Sequence, residues 1–412
     1  MILPRLHSVA QPPDVGTRIM LVDPYTGGHH AHFLDCLRSY WELHGATGQL
    51  HVVVSDAYRT DHAEFLTALE QTPNAQAHTA AVARSGSSRA GLLRKDWTYG
   101  RIVEEYAARI RPERILLMYF DHVQLSLAAR LRFAWPVAMG GIYFRPTFHY
   151  RSSGIRGSGR ATALRKRLVL RAALRNPHLH SIFCLDPYAA AWLRAHTKHT
   201  KIVHLPEPMD VSPSPHERAP QPLAGIEGGR RKLLVFGHLD ERKGIQEIAA
   251  ALRTLPGDAQ EQLALVLAGR IEADARERIL AAVAELRRDS SVQVVVDDRY
   301  LDGHEIQPLI SAADLVLLTY EEHVGSSGVL VRAASARVPV IASDHGLLGR
   351  LVERHRLGTT VDAASTAAVA RVVAEWLDHP ESIPFDARAA LGFAAENTAM
   401  AFAETIFSNL RV

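Results

Sequence analysis

Short apolar runs alternate with longer stretches of helical periodicity along most of this chain. In the first half, "RIMLVD" (Arg18–Asp23), "LHVVVS" (Leu50–Ser55), "RILLMYF" (Arg114–Phe120), "WPVAMG" (Trp135–Gly140) and "HSIFCL" (His180–Leu185) read as buried strands. A second set follows in "RKLLVFG" (Arg231–Gly237), "LALVLAG", "VQVVV", "DLVLLTY", "PVIAS" and "GTTV". Near-continuous aliphatic runs separated by helices predict βαβ units and parallel sheets. Between the two sets, residues 206–222 hold six prolines, a composition that suits a linker better than an element. The pattern predicts an α/β domain over residues 1–205 and a linker over 206–230. A second α/β domain follows over 231–385, and a helical segment, 386–412, packs back on the first. The expected architecture is two Rossmann-like domains with parallel sheets facing across a cleft.

Composition narrows the function classes. A chain of 412 residues exceeds one ordinary core, and 47% hydrophobic residues is a globular composition. Two cysteines, Cys36 and Cys184, make neither a disulfide framework nor a thiolate metal site. Pro4 and Arg5 stand where a signal peptide would be apolar, and no run of 18 apolar residues occurs. A cytoplasmic protein that does not span a membrane is expected. A net charge of +3 gives no reason to expect nucleic acid. The charge is uneven, however: Arg151 to Arg175 carries eight Lys/Arg and no acid.

Ligands of open parallel sheets bind beyond the carboxyl ends of the strands, so the loops there hold the candidate chemistry. After the first strand, Gly27 and Gly28 open a helix whose free N–H groups favour an anion. His29, His30 and His32 follow. Successive helical positions point in different directions, so contacts to phosphate or sugar hydroxyls are expected from them rather than a metal site. After "RKLLVF", Gly237 frees a turn and Arg242-Lys243 stands just ahead of a helix, where the macrodipole opposes cations. A bound polyanion removes that conflict. Arg suits a diphosphate through its planar fork, Lys as a point charge. After "DLVLLTY", Gly325, Ser326, Ser327 and Gly328 supply small residues at the start of another helix, able to surround phosphate oxygens. No Gly-Lys-Ser/Thr ends that loop, and no Gly-x-Gly-x-x-Gly follows the first strand. A nucleoside triphosphatase and a dinucleotide oxidoreductase are therefore both disfavoured.

"FGHLDERKGIQEIAAAL", "LALVLAGR" and "LISAADLVLLTYEEHVGSSGVLVRAASARVPVIASDHGLLGRLVERHRLGTTVD" resemble the donor-binding half of family 4 (group 1) glycosyltransferases with the GT-B fold. The resemblance runs in order from about Leu233 to Asp362. It implies a retaining, metal-independent transfer of a sugar from a nucleotide-diphosphate sugar, with no cofactor beyond that co-substrate. It also implies donor contacts from Gly237, Arg242, Lys243, Arg270, His323 and Arg332, and from the Gly325–Gly328 loop. Catalytic roles fall to His122, Glu321 and Glu322, and acceptor or phosphate contacts to Gly27, Gly28, His29, His30 and His149. The chain departs from the family pattern at two places. Arg332 stands where such enzymes carry their second, ribose-binding glutamate, the first falling at or near Val324. Ile142 occupies the slot of an acceptor-side histidine, leaving His122 and His149 as neighbours able to substitute.

Two other readings compete with transfer. One is a relative that binds a nucleotide or glycan without turnover, and the other is a different GT-B enzyme such as a nucleotide-sugar epimerase. The partners expected are a nucleotide-sugar donor, an acceptor of unspecified class and, through residues 151–175, an anionic membrane surface. On a helix from about Ala161, the pattern sets Arg167, Arg171 and Arg175 on one face.

Overall fold

The computed structural model describes residues 17–26, 30–44, 47–82, 89–129, 131–153, 155, 159–198, 200–209, 223, 225–301 and 303–410. Gly27, Gly28, His29 and most of the proline-rich linker lie outside this set. Among the described residues the chain divides into two compact α/β units. The first comprises residues 1–149, 158–208 and 399–412, and the second residues 150–157 and 209–398.

The first unit is built on a seven-stranded sheet: β1 (Arg18–Asp23), β2 (Gln49–Ser55), β3 (Ala75–Ala80), β4 (Arg114–Leu117), β5 (Ala138–Tyr143), β6 (Leu179–Cys184) and β7 (Lys201–His204). Their spatial order is β3-β2-β1-β4-β5-β6-β7, and every pairing is parallel. Core lies on both faces, as the unalternating sequence runs require. The C-terminal helix Ala399–Asn409 belongs here and packs on the helix His30–Leu43, with Phe407 stacked on Tyr40 at 5.4 Å.

The second unit carries a six-stranded sheet: β8 (Arg231–Phe236), β9 (Leu263–Ala268), β10 (Gln293–Asp297), β11 (Leu315–Leu318), β12 (Val340–Ser343) and β13 (Gly358–Val361). Their order is β10-β9-β8-β11-β12-β13, again parallel. The helix Ile245–Arg253 shows how the sequence selects its elements. Ile245, Ile248, Ala249 and Leu252 fall at i, i+3, i+4 and i+7, and all four are buried against this sheet. Helix Ala387–Glu396 packs on helix Gly328–Ala336 within this unit, so of the two last helices only the final one joins the first unit.

The strand pattern differs from the sequence reading in detail. β3 (AQAHTA) and β7 (KIVH) are edge strands, too polar or too short to stand out as apolar runs. β5 starts at Ala138, three residues later than the run beginning at Trp135, whose indole instead donates to the Pro112 carbonyl at 3.2 Å. In each sheet the strand order reverses at one place, between β1 and β4 and between β8 and β11. Ligands of such sheets bind at these switch points.

Candidate functional site

At the switch point of the second sheet, the turn Glu241–Lys243 follows β8 and leads into helix Ile245–Arg253 through Gly244. Gly244 adopts φ +65°, and a Cβ there would sit 2.6 Å from the Thr319 carbonyl oxygen. Only glycine allows this approach. The Glu321 N–H donates to the Arg242 carbonyl at 2.9 Å, which ties the turn to the loop after β11.

The two cations of this turn are held differently. Arg242 is 56% exposed, and its guanidinium makes two bonds to one Asp240 oxygen, at 2.9 and 2.8 Å. Lys243, although it stands in a turn ahead of a helix, is only 6% exposed. Its ammonium donates to the Phe236 carbonyl and to the Tyr320 hydroxyl, each at 2.8 Å, and lies 4.3 Å from the centroid of the Tyr320 ring. Burial of a lysine is tolerated when its donors are engaged.

The stretch after β11 closes the site. Tyr320 is buried, and its hydroxyl lies 3.5 Å from Ser327 Oγ. His323 sets its ring edge-on to Tyr320 at 5.4 Å and bonds through Nε2 to the Ser326 carbonyl at 2.9 Å. The Tyr150 hydroxyl, in the same unit, donates to the Val324 carbonyl. Gly328 begins the helix Gly328–Ala336 with Ser327 as its N-cap, whose side chain makes no capping bond. The Ser327 carbonyl accepts from the Leu330 N–H at 2.9 Å, and the Ser327 side chain leaves the preceding amides uncapped, a helix start suited to an anion. Arg332 lies one turn further along this helix. Burial and the neighbouring Glu247 carboxyl push the Glu321 carboxyl above its ordinary range, whereas Glu322 is exposed with its backbone at φ +48°. Arg270 follows β9 and lines an open cavity of about 460 Å³ with Glu272, Arg276, Asp298, Arg299 and Tyr300.

At the switch point of the first sheet, a polar and aromatic cluster stands beyond β1 and β4. Asp23, the last residue of β1, is 1% exposed, and both its oxygens approach His30 Nδ1, at 2.8 and 2.7 Å. The His30 ring stacks on Tyr119 at 4.9 Å, and His122 stacks on Tyr119 at 4.7 Å. Tyr25 meets His122 edge-on at 5.6 Å. Burial, assisted by the charge of Lys95, pulls the His122 imidazole down to about 4, so it is neutral at physiological pH. The Asp23 carboxylate in turn fixes the tautomer and orientation of His30.

His149 is not available as a contact residue. It is fully buried, with Nε2 3.1 Å from the Asp186 carboxylate and Nδ1 2.5 Å from the Pro146 carbonyl oxygen. Asp186 also caps the helix Pro187–His196 through the amides of Tyr188 and Ala189, so His149 serves the core. Sequence reasoning missed Asp23, Tyr119 and Tyr320. Asp23 ends its strand, and Tyr119 and Tyr320 stand two residues past theirs, all at switch points, and that position was the available signal.

Among the described residues, no group of three or more His, Cys, Asp or Glu side chains could hold a metal ion. Nor is any described helix long and apolar enough to cross a membrane.

Residues 221–397 match the family described as glycosyl transferases, group 1. No curated protein matches the sequence. The fold resembles that of Anabaena HepE solved with UDP and glucose (17% identity, 95% of this chain and 98% of that one, TM-score 0.61). It also resembles sucrose-phosphate synthase from Thermosynechococcus elongatus (19%, 94% and 96%, TM-score 0.65). A third similar structure is the UDP-forming α,α-trehalose-phosphate synthase from Burkholderia vietnamiensis (14%, 96% and 100%, TM-score 0.63). The fold is thus that of GT-B structures, and residues 221–397 within it match the group 1 glycosyl transferases.

Proposed function

We propose that this protein transfers a sugar from a nucleotide-diphosphate sugar, bound in the second unit, to a hydroxyl-bearing acceptor recognised by the first. One observation carries the reading. An exposed arginine and a buried lysine, hydrogen-bonded to Phe236 and Tyr320, share one turn at the switch point where helix Gly328–Ala336 begins. Charge grows on the diphosphate as the glycosidic bond breaks, and Arg242, Lys243 and the helix N-terminus are the groups suited to stabilise it. With that charge met by side chains and backbone, the transfer needs no metal and proceeds with retention, as the resemblance implies. The cavity beside Arg270 is large enough for a nucleoside. The complex of HepE with UDP supports a uridine donor.

Tyr25, His30, Tyr119 and His122 offer ring faces and imidazole nitrogens to an acceptor, in keeping with the roles expected of His30 and His122. The helix Arg160–Ala173 adds a membrane-facing surface to this proposal. Leu164 and Leu168, 59% and 60% exposed, share its outer face with Arg160 and Arg171. Such a mixture suits peripheral contact with anionic lipid on the cytoplasmic side. Arg167 contributes less than expected, because its guanidinium bonds the Phe148 carbonyl at 3.0 Å and lies over Trp192.

One observation favours binding without turnover. Arg332 replaces a carboxylate that would hold the ribose in the enzymes this chain resembles. Incubating the purified protein with UDP-glucose, GDP-mannose and ADP-glucose separates the readings. Transfer predicts release of the nucleoside diphosphate, slow with water and faster with an acceptor. Binding without turnover predicts none, and epimerisation predicts an isomerised sugar.

A further inference from the structure

The hydrogen bonds around Lys243 define a role for Tyr320. An ammonium only donates. The Tyr320 oxygen, 2.8 Å from Lys243 Nζ, therefore accepts from it, and the phenolic proton must point elsewhere. Ser327 Oγ lies 3.5 Å away, at the outer limit of a hydrogen bond, so a better acceptor would displace it. Ser327 is the N-cap residue of helix Gly328–Ala336 and leaves the first amides of that helix uncapped by its side chain. The proton of Tyr320 is thus directed at the end of a helix that favours anions.

We propose that the Tyr320 hydroxyl is a phosphate-binding donor of the diphosphate site, polarised from behind by Lys243. This inference rests on the diphosphate site argued above. Lys243 keeps its bonds to the Phe236 carbonyl and to Tyr320, and its charge reaches the phosphate through the phenol. Arg242, exposed at the mouth of the site, makes the direct ionic contact. The buried lysine is then a fixed source of polarisation that needs no rearrangement when the donor binds. As negative charge builds on the departing diphosphate, the Tyr320 bond strengthens, so the hydroxyl acts on turnover as well as on affinity.

The test uses the full chain, with inorganic pyrophosphate and UDP as probes in titration calorimetry at fixed ionic strength, and uridine as the phosphate-free control. Tyr320→Phe removes only the hydroxyl and keeps the ring against Lys243 and His323. Affinity for pyrophosphate and UDP is expected to fall about tenfold, equivalent to about 1.4 kcal/mol, with uridine unaffected. A purely structural role would lower all three together or none. Replacing Tyr320 by 3-fluorotyrosine, a stronger O–H donor, is expected to tighten pyrophosphate binding. If Arg242→Ala weakens pyrophosphate while Tyr320→Phe and the fluorinated variant match wild type, the Tyr320 assignment is wrong and the diphosphate site survives. If neither wild type nor any variant binds pyrophosphate or UDP, the diphosphate site itself is wrong.

Discussion

Asp23, buried at the end of the first strand, pairs with the partly buried His30, both carboxylate oxygens within 2.8 Å of His30 Nδ1. The Asp23 carboxylate holds the His30 imidazole in one orientation, with its other nitrogen available to an acceptor, whereas His122 is held by ring contacts to Tyr25 and Tyr119. His30→Ala should therefore cost more turnover than His122→Ala, by about tenfold or more, with donor affinity unchanged in both. Steady-state kinetics on the two variants check this, and equal losses would remove the special role of the pair.

Arg242 and Lys243 are adjacent in sequence but differ in what their loss does to folding. Arg242→Ala should leave stability within about 0.5 kcal/mol, since an exposed guanidinium paired with Asp240 contributes little. Lys243→Ala strands the Phe236 carbonyl and the Tyr320 hydroxyl and should cost about 1–3 kcal/mol. Urea denaturation of both variants reads the difference. Both should lose donor binding.

Gly328→Val tests the helix start. A Cβ at this position would lie 2.8 Å from Met209 Cε and 2.9 Å from Met209 Sδ. The flexible end of Met209 can give way, so the crowding costs about 1 kcal/mol or less, but the added side chain intrudes on the first turn of the helix, so nucleotide affinity should drop. Met209→Ala in the same chain should recover part of both losses. Recovery of stability without affinity would mean that the loop is only a turn.

His51 and His78, on neighbouring strands β2 and β3, approach Nδ1 to Nε2 at 3.0 Å. Burial, reinforced by His78, pulls His51 down to about 4, and burial also lowers His78. Their folded-state values lie below the unfolded value near 6.5, so below about pH 6.5 the unfolded chain binds more protons. The stability that the pair contributes is present above that pH and is lost as pH falls toward about 4. Chemical denaturation across this window should show the decline, flattened in a His51→Phe/His78→Phe variant.

The exposed face of helix Arg160–Ala173 predicts salt-sensitive co-sedimentation with phosphatidylserine vesicles, at about 1 kcal/mol per engaged cation. Arg160→Gln/Arg171→Gln should lose the salt-dependent part, and Leu164→Ser/Leu168→Ser the remainder. Absence of binding at low salt would leave the face as ordinary surface.

The sheets were legible because buried parallel strands are written as uninterrupted aliphatic runs, and "LALVLA" coincides with β9. Edge strands carry no such signal: β3 leaves Gln76 exposed and His78 and Thr79 half-buried. The loops holding the site were legible from glycine and charge at strand ends. Partners from distant segments were not. Lys243 is buried by a carbonyl seven residues before it and a phenol 77 residues after it, which a linear reading does not bring together. In the same way, nothing in the spacing of His149 and Asp186 announces that they meet in the core.

The central claim is a diphosphate site at the Arg242–Lys243 turn, and calorimetric titration of UDP, GDP, ADP and CDP into wild-type and Arg242→Ala protein tests it most directly. The account predicts that at least one of the four binds wild type, that Arg242→Ala weakens it about tenfold or more at unchanged stability, and that the matching nucleoside binds both proteins alike. Equal affinity of every diphosphate for wild type and variant, or binding by none, would contradict it.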